Sequence, residues 1–155
     1  MLSQLPDRPH LAKLEGPFPA CLKAHAPPLG PFDAVLAYSV AQVVFAEASL
    51  FAFVDAAVQL LSEQGRLLIG DIPNATMRKR FMASPSGKAY HALHYAHLPE
   101  PKPRFNELDP GEIDDGAVLG IVARMRAAGL DAFVVPQAPD LPMANRREDI
   151  LVVRP

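Results

Sequence analysis

Polar residues follow two short apolar runs of this chain, at the points where the runs end. The run over 33–38 ends at Tyr38 and is followed by Ser39, and the run over 66–71 ends at Asp71 and leads to Asn74. Open α/β sheets bind small molecules just outside the carboxyl ends of their strands. These polar residues are therefore the first place to look for a binding site. No glycine-rich phosphate or nucleotide loop precedes them.

A run of basic residues is the second feature that suggests binding. Arg78, Lys79 and Arg80 are consecutive, and their charge would attract a phosphorylated or carboxylated molecule. The alternative is a solvated helix face, which is the commoner role of such a run.

Three histidines raise the question of a metal site. His91, His94 and His97 recur at helical spacing, but no acidic or cysteine partner lies nearby in sequence, so we expect no metal. Cys21 is the single cysteine; it excludes an internal disulfide and is expected to be an incidental loop thiol. A serine hydrolase is not predicted, since the chain has no Gly-X-Ser-X-Gly motif.

The composition is typical of a globular protein with one domain. Of the 155 residues, 50% are hydrophobic and 21% are charged, with a formal net charge of -2, so a nucleic-acid partner is not predicted. The chain has no charged-then-apolar leader and no apolar stretch near 18 residues, so we expect a cytoplasmic protein without a membrane partner. Prolines cluster over 17–31 and 99–110, which predicts loops there.

Hydrophobic periodicity predicts alternating strands and helices. A weak alternation over 10–16 predicts a first strand, and the run over 33–38 predicts a buried one. An amphipathic helix over 47–63, stopped by Gly65, then leads to a parallel strand over 66–71 by a right-handed crossover. The later elements are predicted to be a helix over 75–83 capped by Asn74, a helix over 87–97, a helix from a cap at Asp114 or Asp115 to 128, and antiparallel strands over 131–135 and 149–153.

The segments FDAVLAYSV and QGRLLIGDIPN, joined by a helix and followed by a closing strand pair, resemble the C-terminal half of class I S-adenosylmethionine-dependent methyltransferases. The family's fourth strand starts at a pair like Phe32-Asp33, and its fifth follows a glycine turn that residues 63–65 partly match. The resemblance covers roughly residues 13–155. It implies a single α/β domain, a three-layer Rossmann-like sheet that is incomplete at its N-terminus, with the last strand inserted antiparallel beside the fifth.

The resemblance also implies a cofactor and an acceptor. The cofactor would be S-adenosylmethionine, and the acceptor would be an oxygen atom of a small molecule or of a sugar-like molecule. The residues implied to lie near the cofactor are Glu15, Gly16, Pro17 and Phe18 beside the adenine ring, and Tyr38 and Ser39 beside the methionine part. Two alternatives stay open, namely that Phe18 covers the end of the sheet as a core residue and that Tyr38 is an ordinary aromatic at a strand end.

Methyl transfer needs an aligned nucleophile and often a nearby base. We predict Asp71 as that base, the alternative being a carboxylate that caps a helix or fixes its loop. Ala41 and Gln42 stand where related enzymes often carry a histidine, so no base is expected from them. The residues predicted to face the acceptor are Asn74, Arg78, Gln137, Asp140, Asn145 and Arg146.

The family's first strand, its glycine loop and its ribose-binding acidic residue do not occur in this chain. We therefore expect a truncated relative, whose first portion was lost or is supplied by another polypeptide, and weak cofactor binding by the chain alone. The strand over 33–38 would then be an open apolar edge, which favours a homo-oligomer. The alternative function is a non-catalytic interaction module that binds a partner or its own copy through this edge.

Overall fold

The computed structural model describes residues 4–6, 8–25, 28–107 and 109–155. Residues 26, 27 and 108, which belong to the predicted proline-rich loops, therefore lie outside the described ranges. Within these ranges the chain forms four strands and five α-helices. The strands are β1 (Phe32–Tyr38), β2 (Leu61–Pro73), β3 (Asp131–Pro136) and β4 (Arg147–Val153). The helices are α1 (Ala41–Glu47), α2 (Leu50–Val58), α3 (Ala75–Ala83), α4 (Pro85–His94) and α5 (Asp115–Ala127).

The strands form one open mixed sheet with the order β1-β2-β4-β3. Strand β1 runs parallel to β2, and β4 runs antiparallel to both β2 and β3. The predicted α/β class is confirmed, and so is the antiparallel last strand beside the second apolar run. Strand β1 lies at one edge of the sheet, as expected.

The core lies between one face of the sheet and three helices. The strand residues Leu67, Ile69, Ile150 and Val152 have no solvent exposure and pack in a single cluster with the apolar stripes of α2 and α5. Ala41 of α1 belongs to the same cluster. Helices α1, α2 and α5 therefore cover most of this face of the sheet, and Val134 of β3, on the same face, stays exposed.

The opposite face carries an apolar row that crosses all four strands. Leu36, Leu68, Leu151 and Phe133 are paired in register from β1 to β3. The exposed fraction is 68% for Leu36 and 47% for Phe133, and the two central leucines are half-buried. The expectation of three layers is therefore wrong for the described part of the chain, because its helices that pack on the sheet all lie on one side.

The prediction of one long helix over 47–63 is also wrong. Helix α1 ends at Glu47, where the predicted helix should begin, and the chain is extended at Ala48. Ser49 then caps the shorter α2 by accepting a hydrogen bond from the Ala52 N–H at 3.2 Å. Helix α2 ends at Val58, and Leu61 already pairs with Phe32 as the start of β2. The apolar residue at 61 fits a helix stripe and a buried strand equally well, so periodicity did not separate them.

The strand predicted over 10–16 is not formed, since these residues lie in coil and turn. Its weak alternation has no neighbouring strand to pair with, and β1 pairs only with β2 among the described residues.

The predictions based on helix caps are confirmed: Asn74 caps α3 and Asp114 caps α5. Helix α4 begins earlier than expected because Ser84 caps it ahead of Pro85, and it ends at His94.

Candidate functional site

Ser39 and Asp71 lie side by side at the carboxyl ends of two parallel strands. Tyr38 pairs with Gly70 in the β1–β2 register, so the next residue of each strand falls at the same edge. Both residues have left-handed backbone conformations, with φ of 57° at Ser39 and 60° at Asp71. Such conformations are uncommon outside glycine and concentrate at functional sites.

Asp71 is held by hydrogen bonds from three directions. Its Oδ2 accepts hydrogen bonds from the Ser39 hydroxyl and from the Arg147 guanidinium. Its own N–H donates to Asp149 Oδ1 at 2.8 Å. The β2–β4 register shifts between Ile69 and Ile72, and such a bulge re-aims the side chains of the strand that contains it.

These contacts keep Asp71 ionised. Partial burial is the largest influence and opposes ionisation, but the hydrogen bonds from Ser39 and Arg147, with the charge of Arg147, outweigh it and lower the pKa of Asp71 below its ordinary value. A carboxylate with a lowered pKa is a weaker proton acceptor. The surroundings therefore favour the loop-fixing alternative for Asp71, and its role as a base stays a prediction.

A cavity of about 390 Å³ adjoins this pair through two of its hydrogen-bond partners, Gln42 and Arg147. We call it the polar cavity because six of its eleven lining residues are polar or charged. It is at the lower end of the range for small-molecule sites, roughly 300–1,000 Å³. The cavity lies between the end of β2, the start of α3 and the segment before β4. Its lining residues are Gln42, Pro73, Asn74, Ala75, Arg78, Gly111, Glu112, Ile113, Met143, Arg146 and Arg147.

Asn74 joins the three segments around the cavity. Its side-chain oxygen accepts hydrogen bonds from the N–H groups of Thr76 (2.9 Å) and Met77 (3.1 Å). Its amide nitrogen donates to Asp115 (2.7 Å) and Glu148 (2.5 Å). Asn74 is only 1% exposed, and because both ends of its amide are occupied, it supports the cavity wall and has little capacity left for a ligand.

The predicted basic run is compensated by nearby carboxylates. Arg78 pairs with Glu112 at 2.7 Å, Lys79 with Asp109 at 2.7 Å, and Arg80 with Asp115. These pairs tie α3 to the segment that leads into α5 and to the start of that helix. The run therefore has a structural use, and of its three residues only Arg78 lines the polar cavity.

An apolar groove of about 880 Å³ lies on the other side of Tyr38, along the free edge of β1. Residues from 17–19, from β1 and from α1 and α2 line it, among them Pro17, Phe18 and Tyr38. The Phe18 ring also packs edge-on against Phe53, with 5.2 Å between centroids. Glu15 and Gly16 are exposed and do not line the groove.

Gly70 gives the Tyr38 ring its place beside the groove. A Cβ at Gly70 would lie 2.4 Å from Tyr38 Cδ2, far inside van der Waals contact. The ring therefore lies directly against the backbone of β2, and the glycine in the Gly-Asp-Ile-Pro-Asn sequence has a packing role.

Three of the residues predicted to face an acceptor do not line the polar cavity, namely Gln137, Asp140 and Asn145. Gln137 is buried and donates to Asp149 Oδ1 at 3.0 Å, so it supports the carboxylate that holds the Asp71 backbone. Asp140 is exposed. The cavity therefore brings together Asn74, Arg78 and Arg146 from the predicted set.

Sequence reasoning missed Arg147 and Glu112, and it considered Gln42 only as a place without a base. Arg147 is 76 positions from Asp71 in the chain, and Glu112 is 34 positions from Arg78. The adjacent Arg146-Arg147 pair just before a predicted strand was the available signal. No local pattern indicates which of two such arginines faces a carboxylate.

The histidines have structural contacts. His91 is 8% exposed, and its Nε2 lies 3.2 Å from the Leu98 carbonyl oxygen. His94 packs against the Tyr90 ring at 4.5 Å. Within the described residues no group of three or more histidine, cysteine, aspartate or glutamate side chains could hold a metal ion, and no helix there has the length and apolarity needed to cross a membrane.

A scan of the chain against models of protein families and a search of curated proteins both found no match.

Proposed function

We propose that this chain is a class I S-adenosylmethionine-dependent methyltransferase, or a truncated relative of one, that acts on a small-molecule acceptor. The observation that carries the proposal is the position of the Ser39–Asp71 pair beside the last paired residues of β1 and β2. The residues on either side of Ser39, Tyr38 and Val40, line the apolar groove. The hydrogen-bond partners of the pair, Gln42 and Arg147, line the polar cavity. Two neighbouring sites of different polarity suit a reaction between a large, partly apolar cofactor and a polar acceptor. The strand order is compatible with that of the family.

The groove suits the adenosyl part of the cofactor. Among the described residues that line it, Glu47 is the only charged one, and the rings of Phe18 and Tyr38 offer apolar surface. When bound, S-adenosylmethionine supplies a methyl group carried on a positively charged sulfur. In this proposal, Phe18 and Tyr38 bind the cofactor, and the polar cavity beyond Ser39 orients the acceptor.

The Ser39–Asp71 pair would keep the two sites in register. The Ser39 carbonyl accepts a hydrogen bond from Gln42 Nε2 at 3.0 Å, and Gln42 lines the polar cavity. Tyr38, one residue earlier, lines the groove. A short rigid link of this kind favours a fixed distance between the two reactants, which is the main requirement of methyl transfer.

Isothermal titration calorimetry with S-adenosylmethionine tests the proposal. We expect binding with a dissociation constant in the micromolar range, weakened about tenfold by Tyr38→Ala through the loss of aromatic contact. Phe133→Ala is the matched control, because Phe133 is an exposed aromatic at the far edge of the sheet. No heat of binding with the folded chain, or equal weakening by both variants, would contradict the proposal.

A second candidate function is a non-catalytic interaction module, and the apolar row Leu36, Leu68, Leu151 and Phe133 favours it. Monomers seldom leave such a continuous apolar surface exposed, and open edge strands pair readily with other chains. A stable oligomer that does not bind S-adenosylmethionine would support the module. Micromolar binding of the cofactor would support the enzyme.

A further inference from the structure

Arg146 is the cation of the polar cavity that has no carboxylate partner among the described residues. The other two arginines that line the cavity are paired, Arg78 with Glu112 and Arg147 with Asp71. An arginine keeps its charge at every relevant pH. The cavity therefore has one positive charge that the described carboxylates do not compensate.

The Arg146 guanidinium is also held in place before any ligand arrives. Its Nη2 lies 3.4 Å from the Tyr90 hydroxyl, and its central carbon lies 5.5 Å from the centroid of the Tyr90 ring. Its backbone N–H donates to the Met143 carbonyl at 2.9 Å, and its carbonyl accepts from the Asn74 N–H at 3.1 Å. Little conformational freedom is left for a ligand to remove on binding.

Two of the residues that line the cavity each carry a buried polar atom with no hydrogen-bond partner in the described part of the chain. They are Arg146 Nε, a donor, and Gln42 Oε1, an acceptor. Buried polar groups are nearly always satisfied in native proteins. A ligand that satisfies both atoms must offer an acceptor group to Arg146 and an N–H or O–H donor to Gln42.

We propose that the cavity binds a small hydroxylated carboxylate, with its carboxylate on Arg146 and a hydroxyl on Gln42. A single uncompensated guanidinium matches a group with one negative charge. A phosphate monoester carries a charge of roughly -1.5 to -2 at neutral pH. The single positive charge of Arg146 would neutralise only part of it. The N-terminus of α3 contributes no further attraction, because the N–H groups of Ala75, Thr76 and Met77 are already bonded.

This inference rests on the proposed function for its meaning, since the bound carboxylate would be the methyl acceptor or a close analogue of it. Its test needs no cofactor. The inference and the proposed function can therefore be contradicted independently. Cofactor binding without carboxylate binding overturns only the inference, and carboxylate binding without cofactor binding overturns only the proposed enzymatic function.

Calorimetry with three probes that share a hexose ring tests the inference on the whole chain. Glucuronate should bind, glucose should bind at least tenfold more weakly, and glucose 6-phosphate should bind more weakly than glucuronate. Tighter binding of glucose 6-phosphate would overturn the carboxylate assignment, and equal binding of glucose, or no binding of glucuronate, would overturn the site.

Variants locate the site. Arg146→Met should weaken glucuronate binding at least tenfold, since it removes a charge-assisted hydrogen bond. Arg124→Met is the control, because Arg124 also lies near an aromatic ring, that of Phe51, but does not line the cavity. Should Arg146→Met fail to fold, Gln42→Leu replaces it, with a severalfold loss expected. Unchanged affinity in the folded variant, or an equal loss in Arg124→Met, overturns the proposal.

Discussion

Asp71 and Arg147 form the most enclosed ion pair that the structure gives for its described residues. Their side chains are 15% and 21% exposed, whereas those of Asp55 and Arg124 are 40% and 50% exposed. Water and salt screen an exposed pair strongly, and such pairs contribute little stability. Both are ion pairs between an aspartate and an arginine, and they differ in solvent exposure. The exposed Asp55–Arg124 pair is therefore a suitable control for the Asp71–Arg147 pair.

Asp71→Asn should lower the free energy of unfolding at pH 7 by about 2 kcal/mol, the value of a charge-assisted hydrogen bond. Because the pKa of Asp71 is lowered in the folded state, its stabilisation is complete above the unfolded pKa of about 3.9 and is lost as the pH falls through the lower folded value. Urea unfolding at pH 7 and below pH 4 should show the difference between variant and parent shrinking with acid.

Asp55→Asn is the control for this experiment. The pKa of Asp55 is also lowered, first through its hydrogen bond with Arg124, but its exposure should limit the loss to under about 1 kcal/mol. A difference between Asp71→Asn and the parent that stays constant with pH would contradict the argument.

At the scale of elements, α3 and α4 meet at a corner that depends on one glycine. Ser84 closes α3 and caps α4 by accepting a hydrogen bond from the Gly87 N–H at 3.1 Å. A Cβ at Gly87 would lie 2.0 Å from the Phe81 carbonyl oxygen. Backbone atoms cannot yield as a flexible side chain does, so the corner excludes any larger residue.

Gly87→Ala should therefore destabilise the fold by at least about 1–3 kcal/mol through overpacking. The midpoint of thermal unfolding should fall by about 2–4 °C for each kcal/mol. Gly120→Ala is the matched control, because the nearest atom to its Cβ would be the tip of the Phe51 ring at 3.3 Å, and alanine is about 1 kcal/mol better than glycine within a helix. Equal stability of the two variants would show that the corner can relax.

The elements that could be predicted from the sequence are those with local signals. Asn74 and Asp114 cap the helices that follow them, and both helices form where expected. The strand expected over 10–16 failed because a strand needs a neighbour, which alternation alone does not supply. The start of β2 was missed because Leu61 pairs with Phe32 far along the chain.

The candidate site also contains residues that local sequence signals predict and residues that depend on contacts far along the chain. The proximity of Tyr38, Ser39 and Asp71 could be predicted because they stand at the ends of apolar runs, and parallel strands bring such residues to one edge. Arg147 was missed because ion pairing joins residues that are distant in sequence. Which of the predicted polar residues line the cavity depends on the bulge in β2 and on the turn at Met143, where φ is 64°.

At the scale of the whole molecule, helices pack on one face of the sheet, and β1 and β3 form its two edges in the described part of the chain. Leu36 belongs to both exposed features, since it lies on β1 in the apolar row and also lines the groove. Leu36→Lys should therefore reduce self-association, because a lysine on an edge strand opposes pairing with another chain. Sedimentation velocity of the parent should show oligomers whose fraction falls in the variant.

Leu93→Lys is the control for surface charge. Leu93 is 77% exposed on α4, away from the sheet, so the same charge is added without changing the edge. A parent chain that sediments as a clean monomer would contradict the expected self-association, and an equal effect of both lysines would show that net charge, not the edge, controls it.

The chain of contacts from Ser39 through Asp71 to Arg147 has a consequence for proton affinity. A carboxylate held by Arg146 would also attract the neighbouring Arg147 guanidinium, which lines the same cavity and pairs with Asp71. If the occupant draws Arg147 away, the carboxylate loses the charge that keeps it ionised, and its hold on a proton strengthens. Occupancy of the cavity and protonation of Asp71 are then thermodynamically linked. In the occupied state, the Asp71 carboxylate would be able to accept the proton that an acceptor hydroxyl releases.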